Sequence, residues 1–504
     1  MPHHTTQRIH TQEIAMPSEP AESSTRHPLA RGFTAMMIEK VPSYGNKFLY
    51  SLGFLSMVSF LILLVSGTLM TFFGPNWWLT DVAGGYTRSV HLWATQAFVL
   101  FILLHLLTVF FTSGFRKPRR LTWVLGVLML FIVLAETEFG YILRGDFSSQ
   151  WRSLQGADFY NGAGLGWWIN PLDYGQVLGI HVATIPLVLL GLVGLHYLLV
   201  RVLGIAEPYR KDVTVTTVKA NHNVLFLRGG AVVVLVLGLA AALPSPYISP
   251  TTITSVATQD PTLFAKTVVA EFSASSDTAG YSDNIDPYTF DTRAVFVEAP
   301  YEQWLKANPG ATDSLAAFNQ LPEADQTAAL QALSDYYGQD KPDPNAMPQG
   351  PATGVVQSLT SMASAGLYEP ALLASNLGSR QASVGTYADR FLADTGALEE
   401  QAGELGITTE QYGMVREESG HAPGAWWLSP IGLLNHTVLV NDDNGDRDGA
   451  IILGSLMLTM LAFPFIPYVN RLPDVLRVWK PIWKERGPQV RHRRIRRGAR
   501  PMAR

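Results

Sequence analysis

The chain has 504 residues, 47% of them hydrophobic and 15% charged, with a formal net charge of −4. A charged fraction so far below the roughly 25% of soluble domains argues for a membrane protein that carries a soluble part. The absence of cysteine excludes disulfides, iron–sulfur ligation, zinc thiolates and Cys-x-x-Cys-His haem attachment, so a redox cofactor must use histidine or another non-thiol ligand.

Residues 1–30 read as a polar tail, without the apolar run of a secretory signal peptide. Length and apolarity then predict six membrane spans, at about 48–73, 88–112, 121–143, 177–201, 225–244 and 449–468. The first carries Gly53 and Gly67, and the third Gly126 and Gly140. The second carries His91 and His105, and the fourth His181 and His196.

Ionisable side chains inside a membrane are costly and point to function. Intervals of 14 and 15 residues put each histidine pair on roughly one helix face, about 21–22 Å apart. Two such helices side by side make two stacked sites, each with one imidazole from each helix, which suits axial ligation of two haems. The glycine pairs repeat the 14-residue interval and would open space for haem at the same two depths.

Three basic segments follow the second, fourth and sixth spans: TSGFRKPRRLTW, RVLGIAEPYRKDVTVTTVK and the tail after Val469. Positive-inside bias assigns them, with both termini, to the cytoplasm. The final HRRIRRGARPMAR reads as an anchor to anionic lipid rather than a nucleic-acid site.

Between Pro246 and Asp448 lie 27 acidic and 8 basic residues, leaving 14 acidic and 29 basic elsewhere. This extracytoplasmic insertion, residues 246–448, is long enough for one domain. It opens on the linker LPSPYISPTTITS and contains helix-like stretches such as PEADQTAALQALSDYY and TYADRFLADTGALEEQAGEL. It shows no repeat or catalytic signature. NDDNGDRDG is acidic like a calcium loop, but it lacks the required glycine and terminal glutamate in register.

GFRKPRRLTW, RSVHLW, VPSYGNKFLYSLGF, the paired glycines, and HVATIP followed by His196 resemble the cytochrome b family, in particular its shorter cytochrome b6-type branch. The likeness covers roughly residues 30–210. It implies a mainly α membrane fold in which a four-helix di-haem bundle occupies 31–210. A connection and fifth span follow at 211–245, then the acidic domain, a sixth span at 449–468, and a basic tail at 469–504.

The resemblance also implies the ligand sets. His91 and His181 would hold an outer haem b, and His105 and His196 an inner one. Arg88 matches a family propionate partner. Arg116, Lys117 and Arg201 are weaker candidates for the inner propionates, and His222 for a quinone-reducing pocket.

Departures are equally specific. Ser51 stands near the entry where the b6 branch tethers an extra haem through cysteine. Arg144 replaces the proline of GYxLP. The Pro-Glu-Trp-Tyr motif of the C-terminal half is missing, the nearest strings being AEPY at 206–209 and DPY at 286–288.

The implied role is a di-haem electron-transfer subunit of a quinol oxidoreductase in a prokaryotic cytoplasmic membrane, not a complete enzyme alone. A Rieske iron–sulfur protein, a cytochrome b C-terminal-type subunit, quinol and a homodimeric complex go with that role. The acidic domain would offer a surface to a basic electron carrier. A di-haem anchor serving a different oxidoreductase module is the alternative. A transporter or receptor would require unmetallated histidines.

Overall fold

The computed structural model describes residues 38–206, 216–280, 291–375, 384–408, 411, 415, 424–440, 442 and 444–483. The polar N-terminal tail, most of the final basic tail, all of DPY, and parts of the AEPY and NDDNGDRDG strings lie outside the described residues.

Six helices are long and apolar enough to cross a membrane. They are α1 (Leu52–Phe73), α2 (Val82–Phe111), α3 (Arg120–Ile142), α4 (Tyr174–Leu203), α5 (His222–Ala242) and α6 (Gly445–Ala462). Leu61, Leu187, Val234 and Leu458 are exposed on them, as expected where lipid replaces water as solvent. The protein is therefore a multi-pass membrane protein.

α1, α2 and α5 pack on one another, α3 packs on α4, and contacts between α2 and α3 join the two groups. α6 lies against α3. α2 starts six residues before the predicted position because Asp81 caps it, accepting from the Ala83 and Gly84 amides at 2.8 and 3.2 Å. Arg88, which looked like the edge of the span, is buried inside the helix.

One end of the bundle gathers the basic segments. There Lys40–Pro42 pairs antiparallel with Thr217–Lys219, Val41 opposite Val218. Arg119 donates to the Leu203 carbonyl at 2.7 Å, and the Trp123 indole donates to that of Met460 at 2.9 Å. These bonds satisfy carbonyls that helix ends leave open.

The acidic segment attaches at the opposite end. Its helices, among them Pro261–Phe272, Glu323–Tyr337, Pro351–Ser364 and Val384–Thr395, enclose a core rich in aromatics, including Phe264, Phe272, Phe296, Phe318, Tyr368 and Phe391. That core also takes Phe147, with Trp151 and Leu154 packed on it. All three come from the helix Phe147–Gly162 between α3 and α4. The Gln150 amide donates to Asp389 at 2.7 Å and to the Thr251 carbonyl at 2.9 Å. The acidic domain is thus fastened to the bundle by a helix that precedes it by a hundred residues.

Within this domain Glu271 is fully buried and accepts from the Ser276 hydroxyl at 2.8 Å. Burial, then the adjoining Asp394 carboxyl, pushes its pKa up to about 9 from the ordinary 4.5 of a free glutamate. The folded form therefore holds a proton that the unfolded chain releases above pH 4.5. The stabilisation is full below that value and is lost as pH rises towards 9, by about 1.4 kcal/mol per unit. Glu271→Gln, which keeps the neutral shape, is expected to flatten the fall in the domain's melting temperature between pH 5 and 8. An unchanged slope in thermal unfolding scans would contradict this.

Candidate functional site

The four histidines meet in two pairs. His91 and His181 sit near the acidic end with ring centroids 6.2 Å apart, inclined at 72°. His105 and His196 lie within electrostatic reach of each other on the same two helices, nearer the basic end.

The unequal spacings have a local cause. α4 contains a π-helical turn at Ile180–Thr184, in which the Ile185 amide donates to the Ile180 carbonyl. Pro186 follows and has no amide to give. Such a turn absorbs one extra residue, so 15 residues on α4 cover the rotation that 14 cover on α2.

Each glycine faces one imidazole. A Cβ built on Gly67 would lie 3.2 Å from His91 Cε1, and one on Gly140 2.9 Å from His181 Cε1. Gly53 and Gly126 approach Cε1 of His105 and His196, both at 3.4 Å. The four glycines therefore sort into the same two depths as the histidines.

Hydrogen bonding fixes the tautomers of the first pair. The Ser66 hydroxyl donates to the Ile62 carbonyl at 2.7 Å, so at 2.8 Å from His91 Nδ1 it accepts. His181 Nδ1 faces only acceptors, the Glu136 carbonyl at 3.2 Å and its Oε1 at 3.1 Å. Both imidazoles carry their proton on Nδ1 and keep an Nε2 lone pair for a metal. Two metal–imidazole bonds of about 2 Å each plus the two half-rings account for the 6.2 Å between ring centres. These residues fit an iron held between them.

Halfway between the two depths the bundle is filled by apolar side chains. Phe98 lies seven residues from both His91 and His105, Phe60 seven from both glycines of α1, and Val133 seven from both of α3. Phe60 and Phe98 stack at 5.4 Å. Phe98, Val133 and Leu189 share one apolar cluster.

That cluster also contains Ala425 and Trp427, from the last part of the acidic segment before α6. The Trp426 indole donates to Gln96 Oε1 at 2.8 Å, and the Gln96 amide reaches back to the Gly424 carbonyl at 3.3 Å. The stretch forms a short 3-10 turn, Trp426–Leu428, and its irregular backbone is tolerable at this depth because protein surrounds it.

Most of the remaining predicted residues have protein partners. Arg88 donates to the carbonyls of Ser245 and Pro246 at 3.1 and 2.7 Å. Arg144 also reaches the Pro246 carbonyl, at 3.3 Å, and pairs with Asp146 at 2.7 Å. Arg116 pairs with Asp474 at 2.6 Å. Lys117 and Arg201 are exposed, and His222 Nε2 lies 3.1 Å from the Ile38 carbonyl. The Ser51 hydroxyl accepts from Arg228.

Sequence reading missed Ser66, Glu136 and Glu138. The two glutamates carried a usable signal, since carboxyls inside a predicted span demand partners. Glu136 has His181, and Glu138 has Arg152 at 3.6 Å.

Comparison with known proteins identifies the family. Residues 96–256 match a family model described as Cytochrome b(N-terminal)/b6/petB. Cytochrome b6 of Heliobacterium modesticaldum is 30% identical over 193 residues, covering 33% of this chain and 89% of that protein.

The chain belongs to the cytochrome b family.

Cytochrome b6 of Prochlorococcus marinus strain MIT 9211 is 32% identical over 190 residues, 33% of this chain and 87% of that one. A chain of a hyperthermophilic respiratory Complex III aligns at TM-score 0.37 and 19% identity, covering 69% of this chain and 96% of that chain. Membership of the cytochrome b family carries haem b binding with it, while the acidic domain is unrecognised beyond the family's reach.

Proposed function

We propose that the chain is the di-haem cytochrome b subunit of a membrane quinol oxidoreductase of bc or b6f type. His91 and His181 hold the outer haem, and His105 and His196 the inner one. Gly53, Gly67, Gly126 and Gly140 keep the space around the rings. The acidic segment 246–448 is extracytoplasmic apart from the Trp426 stretch that enters the bundle, and both termini are cytoplasmic, in line with the positive-inside bias.

The single observation that carries this reading is the agreement of histidine pairs and glycine contacts at two separate depths. Bound haem supplies one-electron storage at each depth, with about 21 Å along the helix between them. The chain's own residues do the rest. Ser66 and Glu136 orient the outer imidazoles, and the layer of Phe60, Phe98, Val133 and Leu189 keeps water and ions out between the sites. Arg88 lies one helical turn before His91 and remains the candidate for an outer propionate, drawn by the same charge that now holds the Ser245 and Pro246 carbonyls.

Quinol is the electron donor in this reading. A Rieske iron–sulfur protein and a cytochrome b C-terminal-type subunit complete the complex, which is homodimeric. The acidic domain faces a basic electron carrier, and the basic end faces anionic lipid.

The test is the haem content of the purified chain. Two b-type haems per chain, visible in a reduced-minus-oxidised spectrum and by haem extraction, are expected. One haem or none overturns the di-haem assignment.

A further inference from the structure

The two sites differ in what stands behind the imidazoles. At the outer site His181 Nδ1 lies 3.1 Å from the Glu136 carboxyl and 3.2 Å from that residue's own carbonyl. His91, on the other side, has only a neutral hydroxyl among the described residues. At the inner site no Asp or Glu is hydrogen-bonded or ion-paired to His105 or His196 among the described residues. Glu136 is largely buried, with a side chain 16% exposed, so its influence is weakly screened.

We propose that Glu136 is a positioning residue that sets the reduction potential of the outer site, by accepting the Nδ1 proton of His181 and making that imidazole a stronger donor to iron. This rests on the di-haem reading above. A carboxyl behind a metal-bound histidine fixes its tautomer and raises its basicity. A more basic axial ligand, with negative charge beside it, favours ferric over ferrous iron. The inner site has no such device, so the outer potential is lowered selectively. Electron transfer from outer ferrous to inner ferric iron is then made more favourable. No bond breaks in that step, and the His181 proton stays on Nδ1.

The acidic residue lies on α3, four residues before Gly140, so both sit on the helix face turned to His181. One element thus gives the ring its space and its hydrogen-bond acceptor.

The experiment is an optical redox titration of the purified full-length chain and its Glu136→Gln variant, with the outer component identified by its loss in His91→Ala. Second-contact partners of metal ligands commonly matter by 10–100-fold. The outer equilibrium is expected to move at least tenfold towards the reduced form, which is about 59 mV for one electron. The inner component should stay within twofold, and the low-spin ferric signal of only the outer haem should change in electron paramagnetic resonance. Ser66→Ala, which removes the neutral partner of His91, should move the outer potential less than Glu136→Gln does.

Two titrating components, neither displaced in Glu136→Gln, would show that the backbone carbonyl alone takes the proton, and would overturn this proposal while leaving the di-haem reading intact. Equal displacement of both components overturns it as well. Should the Gln variant fail to load haem, Glu136→Asp provides the measurement. Its withdrawn carboxyl should raise the outer potential alone, and an unshifted outer component there is fatal to the idea. A wild-type chain without two b-haem components fails the di-haem reading itself.

Discussion

Alanine at His105 is expected to leave a protein with one haem, and alanine at His196 to leave the same one. On the di-haem proposal each substitution would remove one of the two imidazoles that would hold the inner haem, and a haem left with one ligand in an apolar bundle would lose the bond that fixes it. His91→Ala and His181→Ala should remove the other haem. The effects should not spread, because the depths are about 21 Å apart and separated by the packed layer of Phe60, Phe98, Val133 and Leu189. Distant sites without shared partners behave independently, whereas ligands of one iron act as a unit. The double variant His105→Ala/His196→Ala should therefore lose no more haem than either single one. His91→Ala combined with His105→Ala should lose both. Haem per chain and the reduced b-type absorbance are the measurements. Complete loss from any single substitution in a protein that still unfolds cooperatively would contradict the pairing.

The sequence disclosed the periodic part of this architecture. Six apolar runs appear as six helices because a backbone in lipid must satisfy its own hydrogen bonds, leaving little choice but a helix. The paired histidines and glycines were legible for the same reason, since helix geometry converts an interval into a depth.

Contacts between distant parts of the chain were not legible. Arg88 looked like a span boundary because its partners, the carbonyls of Ser245 and Pro246, lie some 157 residues away. No sequence pattern marks the segment around Trp426 and Trp427, and only its contacts with Gln96 and the apolar cluster of Phe98, Val133 and Leu189 place it inside the bundle. Phe147, Trp151 and Leu154 belong by sequence to the di-haem half yet complete the core of the acidic domain. The interval of 15 rather than 14 residues on α4 was legible, but its cause appears only with the π-turn in view. The fold of residues 246–448 was the least legible part. Its helices are short, and the aromatic core that unites them comes from side chains scattered over more than a hundred residues.

Gly140→Ala is expected to cost the outer haem while sparing the fold. Glycine inside a helix is worse than alanine by about 1 kcal/mol, and Gly140 has no positive φ to protect. On propensity alone the substitution should stabilise α3. Against this stands one contact: the new methyl would lie 2.9 Å from His181 Cε1 and 3.4 Å from Nε2, so the ring must move. Overpacking of this kind costs about 1–3 kcal/mol, roughly 10- to 100-fold in haem retention if the displacement falls wholly on the ligand. The distances rank the four positions. Gly67→Ala, with its methyl 3.2 Å from His91, should weaken the same site less. Gly53→Ala and Gly126→Ala, both at 3.4 Å, should keep the inner haem. Haem content and thermal unfolding of the four variants separate the ligand effect from any fold effect. If Gly53→Ala emptied the inner site as fully as Gly140→Ala empties the outer one, room for the imidazole could not be what these glycines supply, and the space would have to serve the macrocycle instead.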